Sequence, residues 1–405
     1  MARLADTMWP AEDAGSARLA ATTAPGPRAS NGEVVAVRHD PVCVMLVHAT
    51  QERLLLLRAR PMDDAQVVEE LDPASLAPRR TSGDLPLGPF WPGGIAALDD
   101  GSALVVQGRH AHRLDAELHA AHTRVLPADA AHNSFVLLGD GTVATKDLRR
   151  PGEVASTLSL LDPDTLDERA APLVLPEPSV SRLSADGELL VIVGVTALHR
   201  YGWDPTRGVL VPLTAPLPYV TSGDQSFGWD PVITDRHVWW MDNGDHRFVN
   251  GMTMLGNGVA PGPVHLFRVG REDDDLAAVE VSGLPGGAIT NPPLVDTERG
   301  IVVAYDSANG VLAGFDVDTL ERRWRTELAT AQHLMLHRDT GEVIADEFVP
   351  GVGDGIAVVD VTTGDVRCRV PVGSPAQSVV FGAPGAERDA YYVSLSTVAR
   401  VRFTS

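Results

Sequence analysis

Lysine is almost missing from this chain. Lys146 is its only one, and every other fixed basic side chain is arginine. Together they number 33 against 54 Asp and Glu, a formal net charge of −21. A field of that sign repels nucleic-acid phosphates and anionic lipid headgroups, so neither nucleic acid nor a membrane surface is the expected partner. Cysteine is as scarce: Cys43 and Cys368 are too few for a disulfide framework. No apolar run approaches the length of a membrane span. Residues 1–10 lack the apolar stretch of a secretion signal, which makes the cytoplasm the expected compartment. A glycine-rich phosphate loop, a Cys-x-x-Cys pair and a Gly-x-Ser-x-Gly elbow are absent as well.

Turn residues are abundant, with 38 glycines and 30 prolines, and they punctuate a repeat. An apolar strand begins at Asn133, turns at Gly139-Asp140-Gly141 and returns to Lys146-Asp147. The same plan runs from Asp230 to Asp242, from Pro292 to Asp306 and from His333 to Asp346. Weaker copies without the closing Asp occupy residues 93–108, 180–194 and 377–394. Recurrence at roughly 40–50 residues, with several short strands per unit, predicts an all-β fold of the β-propeller type. The count predicts seven four-stranded blades, the last a composite closed by a strand from residues 33–70, because open sheet edges are a liability. That stretch holds more than one strand, so eight blades is the alternative. Residues 1–32, rich in Ala, Ser, Thr, Pro and Gly, read as a disordered tail ahead of a single domain over 33–405.

Folding each hairpin about its turn sets Asn133 opposite Asp147, Asp230 opposite Asp242 and His333 opposite Asp346, with Asn291 beside the Pro292–Asp306 pair. In a propeller blade the start of the first strand and the end of the second lie at the same end. All these groups are therefore expected at one mouth of the central channel. Residues 243–263 form a long glycine-rich loop leaving from that mouth, placed to act as a lid or to pack on the next blade.

Two later units resemble known repeats. Gly314 to Trp324, with Asp316, Thr319 and Trp324 in place, is similar to the quinoprotein-like propeller repeat, although Leu320 stands where that repeat has glycine. The run from Ile356 to Asp365, followed by Val372-Gly373-Ser374-Pro375, is similar to the lactonase-type repeat. A looser likeness to the gluconolactonase-like propellers implies a divalent cation, Ca or Mg, at the channel mouth, held by Asn133, Asp230 and Asn291.

The chemistry expected is that of a small-molecule enzyme working at the mouth by metal-assisted hydrolysis, lactone opening or isomerisation. Asp230 and Asp242 face each other as acid, base or cation ligands. Lys146 and His132 are the other catalytic candidates, Lys146 as a base or an anchor for an anion. Asn133, Trp229, Asn291, His333 and Gln377 are expected to hold the substrate, with Trp229 as a flat wall. The blander reading makes the strand-ending Asp147, Asp306 and Asp346 structural caps at the blade rim. His110 and His112 read as surface residues. The rival functions are a binding or scaffold propeller without chemistry and a quinoprotein-like dehydrogenase.

Overall fold

Each apolar–turn–apolar repeat folds as an antiparallel meander, and there are eight of them. The computed structural model describes residues 2–242, 262–289, 291–375 and 378–405. Its principal sheets cover residues 43–81, 94–125, 132–174, 184–212, 232–241 with 265–280, 294–327 and 335–374. The eighth joins residues 383–404 to the strand Asn31–His39. The protein is thus an all-β propeller of eight blades rather than seven, with the composite closing blade that the edge argument predicts. The uncounted blade is the first. Its strands Cys43–Thr50 and Arg53–Arg60 are continuous apolar runs, and the two that follow complete a sheet of their own. Residues 243–261 and Gln377 lie outside the described residues, and with them the expected lid and one substrate-binding candidate.

The sheets fall into two compact units. The first comprises residues 1–17 and 41–218, the second residues 18–40 and 219–405. In the first unit, neighbouring residues of one strand face different cores, as the two-residue period of a strand requires. Phe135, Leu137 and Val143 pack with Ala96, Leu98, Leu104 and Val106 of the preceding sheet. Val136, Leu138 and Ala144 pack instead with Leu183, Leu190 and Ile192 of the following one. A sheet buried on both faces needs apolar residues at both parities, which is why these strands read as unbroken apolar runs.

The turn between third and fourth strands has its own chemistry. Asp162, Asp316 and Asp360 each accept backbone N–H bonds from the residues two and three ahead. The fourth residue on is left-handed: φ is 61° at Leu166, 59° at Leu320 and 77° at Gly364. Leucine therefore adopts the conformation that the quinoprotein-like repeat gives to glycine. Burial of its side chain, 1% exposed at Leu166, offsets a backbone strain of about 1–2 kcal/mol.

The N-terminal stretch, which composition leaves without structure, lies against the sheets from residue 2 onward. In the first unit the Trp9 carbonyl accepts from His48 N (2.8 Å), the Pro10 carbonyl from Ala97 N (2.8 Å) and the Ser16 carbonyl from Ala185 N (2.8 Å). In the second unit Ala21–Thr22 runs parallel to Leu336 and His337 of the seventh sheet. The first strand of a blade has one unpaired edge, and this segment supplies partners for it. Its order is borrowed from the sheets it lies on, so its own composition does not reveal it. Among the described residues no helix is long and apolar enough to cross a membrane.

Candidate functional site

In the third sheet, His132, Asn133, Lys146 and Asp147 come together as the hairpin predicts, one residue out of the expected register. A bulge between His132 and Phe135 puts His132, not Asn133, opposite Asp147. All four are buried. His132 Nδ1 lies 3.2 Å from Thr145 Oγ1. Burial pushes its pKa down to about 3, helped by the Lys146 and Arg149 cations, so the ring is neutral at physiological pH. Asn133 Nδ2 donates to Val180 O (2.9 Å) of the segment entering the next sheet. Lys146 Nζ donates to Ser179 O (3.1 Å) in the same segment. Asp147 accepts from Thr157 N and from Arg149 Nε, both at 2.5 Å. Arg182 donates to the Asn133 carbonyl and pairs with Glu12 of the N-terminal segment, each at 2.9 Å. These polar groups clamp sheet to sheet.

In the fifth sheet the expected Asp230–Asp242 pair is not formed across the hairpin. The turn sets Thr234 against His237, and the ladder Val232↔Trp239 then carries Asp230 level with Met241. Asp242 bridges to Gly228 instead. Trp229, expected as a ligand wall, is 1% exposed and meets the Phe227 ring edge-on at 5.6 Å. Trp240 stacks on Phe267, its cross-strand partner in the same sheet, at 5.1 Å.

Asp242 does gain a partner that the repeat does not announce. Its Oδ1 accepts from His265 N (2.6 Å), and its Oδ2 from His265 Nδ1 (2.9 Å) and Gln225 Nε2 (3.2 Å). The hydrogen bond to Asp242 raises the His265 pKa, against a smaller lowering by burial. A carboxylate on Nδ1 fixes the tautomer and leaves Nε2 for proton transfer. His265 opens the third strand, where Thr157 stands in the third sheet, and Asp147 holds Thr157 N as Asp242 holds His265 N. That equivalence was the signal, hidden by the long stretch between Asp242 and His265.

The sixth and seventh sheets repeat the capping theme on the other side of the hairpin. Asp306 accepts from Ser282 Oγ (2.7 Å), Asn309 Nδ2 (2.8 Å) and Ala288 N (3.2 Å). Asp346 accepts from Thr330 Oγ1 (2.5 Å) and Ala331 N (2.7 Å). His333 pairs with Phe381 in a short parallel ladder, its ring stacked at 4.5 Å. Asn291 Nδ2 donates to Ala331 O (2.6 Å), as Asn133 does to Val180 O. Asn291 Oδ1 has no partner among the described residues. It suits one ligand position of a cation, but calcium takes six to eight oxygens, and one neutral oxygen does not make that site. His112, read from the sequence as a surface residue, is buried against Gln66 Nε2 (3.1 Å), Pro86 O and Thr123 Oγ1 (both 3.0 Å). Strand alternation turned it inward.

No protein-family model matches this sequence, and no curated protein matches it. Solved structures do match in fold. A quinohemoprotein alcohol dehydrogenase from Comamonas testosteroni superposes with a TM-score of 0.70 at 10% identity, over 97% of this chain and 80% of that one. BamB from Moraxella catarrhalis gives 0.60 at 12% identity, over 92% of this chain and 100% of that one. A europium-containing methanol dehydrogenase gives 0.64 at 10% identity, over 95% and 88%. At these identities the likeness is one of fold, the β-propeller.

Proposed function

We propose that this protein is a binding propeller that performs no chemistry of its own. The supporting observation is how the strand-ending carboxylates are engaged. Asp147, Asp242, Asp306 and Asp346 each accept at least one backbone N–H and so hold a strand end to a neighbouring segment. Asn133 and Asn291 hold neighbouring segments by donating their side-chain amides to the Val180 and Ala331 carbonyls. Groups occupied in this way are poor acids, bases or cation ligands. The net charge of −21 favours a neutral or cationic partner, either a small molecule or a basic peptide. The dehydrogenase reading has less support. Trp324, which fills the tryptophan slot of the repeat, is buried with Nε1 bonded to Val361 O (2.8 Å), and an added Cβ at Gly314 or Gly364 would meet its ring.

The second reading rests on the Asp242–His265 pair. There His265 Nε2 would act as acid or base on a lactone or ester, with Asp242 orienting the ring. Both readings meet one experiment: thermal-shift binding with basic peptides, polyamines, lactones and esters, together with product assays on the last two. The binding reading expects a melting shift from a cationic ligand and no turnover. Turnover of a lactone or ester that His265→Gln removes would overturn it in favour of the second.

A further inference from the structure

The second unit holds a buried pair of carboxyl groups with no cationic side chain beside it among the described residues. Asp346 lies within the second strand of the seventh sheet, Glu342–Val349, and Asp354 near the start of the third, Gly353–Asp360. The ladder pairs Asp346 with Ile356 and Phe348 with Asp354, so the two acids are diagonal neighbours on one face. They are 0% and 1% exposed. Asp354 Oδ1 accepts from Gly355 N (2.9 Å), and its Oδ2 from the Tyr392 hydroxyl (2.7 Å) of the eighth sheet. Asp346 Oδ1 accepts from Thr330 Oγ1 and Ala331 N. Asp346 Oδ2 is buried without a donor if both acids are ionised. No arginine, lysine or histidine pairs with either acid among the described residues.

Two adjacent carboxylates in a dry site do not both ionise. A carboxylic acid, unlike a carboxylate, is a donor. A proton on Asp354 would fill the open valence of Asp346 Oδ2 and remove one of the two charges. We propose that Asp354 is a neutral carboxylic acid at physiological pH, that it donates its proton to Asp346 Oδ2, and that this shared proton is a pH-sensitive fastening between the seventh sheet and the composite eighth sheet.

The titratable groups facing the pair are few. Tyr392 comes from the eighth sheet, while the segment entering the seventh sheet offers only the Thr330 hydroxyl and the Ala331 amide. Glu347, next to Asp346 on its own strand, pairs with Arg369 of the fourth strand. Burial raises Asp346 to about 6 and, with the Asp346 charge, raises Asp354 well above the usual carboxylate range. Both folded values exceed the unfolded value of about 4. The contribution to stability is therefore complete below about pH 4. It falls as pH rises through about 6, where Asp346 ionises, and falls further as Asp354 loses the last proton.

The test compares the natural protein with Asp354→Asn, which keeps a neutral donor in place of the acid. Melting is followed from pH 5 to 9, with infrared spectra at pH 7. The natural protein is expected to lose several degrees more than the variant as pH rises, and a protonated-carboxyl stretch should vanish in the variant. If Asp354→Asn does not fold, Asp346→Asn serves, because its amide acceptor should shift that stretch. Parallel melting curves overturn the proposal, as does the lack of a protonated-carboxyl band. Calcium that raises the melting temperature of the natural protein but not of Asp354→Asn also overturns it, since a cation would then replace the proton.

Discussion

His132 in the first unit and the Asp346–Asp354 pair in the second are buried to the same degree, yet pH acts on them in opposite directions. Burial favours the uncharged form in both places. For an imidazole the uncharged form is the deprotonated one, and His132 falls to about 3. For a carboxyl it is the protonated one, and Asp346 climbs to about 6. The neighbours reinforce the contrast. Lys146 and Arg149 press His132 toward neutrality with positive charge, while Asp346 presses Asp354 toward neutrality with negative charge. The two halves of one repeat protein thus bury titratable groups at blade seams and pull its pH optimum from both sides.

Asp346→Ala has the largest expected effect. That change leaves the Thr330 hydroxyl, the Ala331 amide and the Asp354 acid without their acceptor in a dry site. Each buried group so orphaned costs about 1–3 kcal/mol, and a total loss of about 3 kcal/mol or more is expected in urea unfolding at pH 6. Next comes the histidine. Below its ordinary value of about 6.5 the unfolded chain takes up a proton that folded His132 refuses, so stability is present above pH 6.5 and is lost as pH falls. At pH 5 the loss is about 2 kcal/mol. His132→Asn should flatten that acid limb between pH 7 and 5. An unchanged limb would mean that the ring accepts a proton where it stands.

How much of this was legible beforehand follows from what carries each feature. The propeller was readable because turn residues and apolar runs recur and the recurrence needs no knowledge of contacts. The first blade escaped the count because Cys43–Thr50 and Arg53–Arg60 fall in the stretch from which the closing strand of the last blade was drawn. The N-terminal segment escaped because its order comes from edges elsewhere in the chain. Among the site residues, the cluster at His132 and Lys146 was visible since a hairpin joins them locally. Its one-residue displacement was not, because a bulge leaves no mark in composition. Asp354 and Tyr392 were missed altogether. Asp354 meets Asp346 diagonally within one sheet and Tyr392 reaches Asp354 across the seam, and no spacing rule reports a contact between a strand start in one blade and a middle residue of the next.

The smallest expected effect sharpens the comparison, because it sets a histidine on the acid side of the balance. His265 is partly exposed, and Asp242 raises its pKa where burial lowers that of His132. Its contribution is therefore present below its unfolded value of about 6.5 and is lost as pH rises through the folded value. Solvent screening at a partly exposed pair keeps this near 0.5 kcal/mol. His265→Gln should trim the difference in stability between pH 5.5 and 8 by about that amount, since an amide in place of the imidazole takes up no proton. A proton-detected titration of His265 provides the direct measure, and a midpoint below about 6.5 would show that burial outweighs Asp242 here.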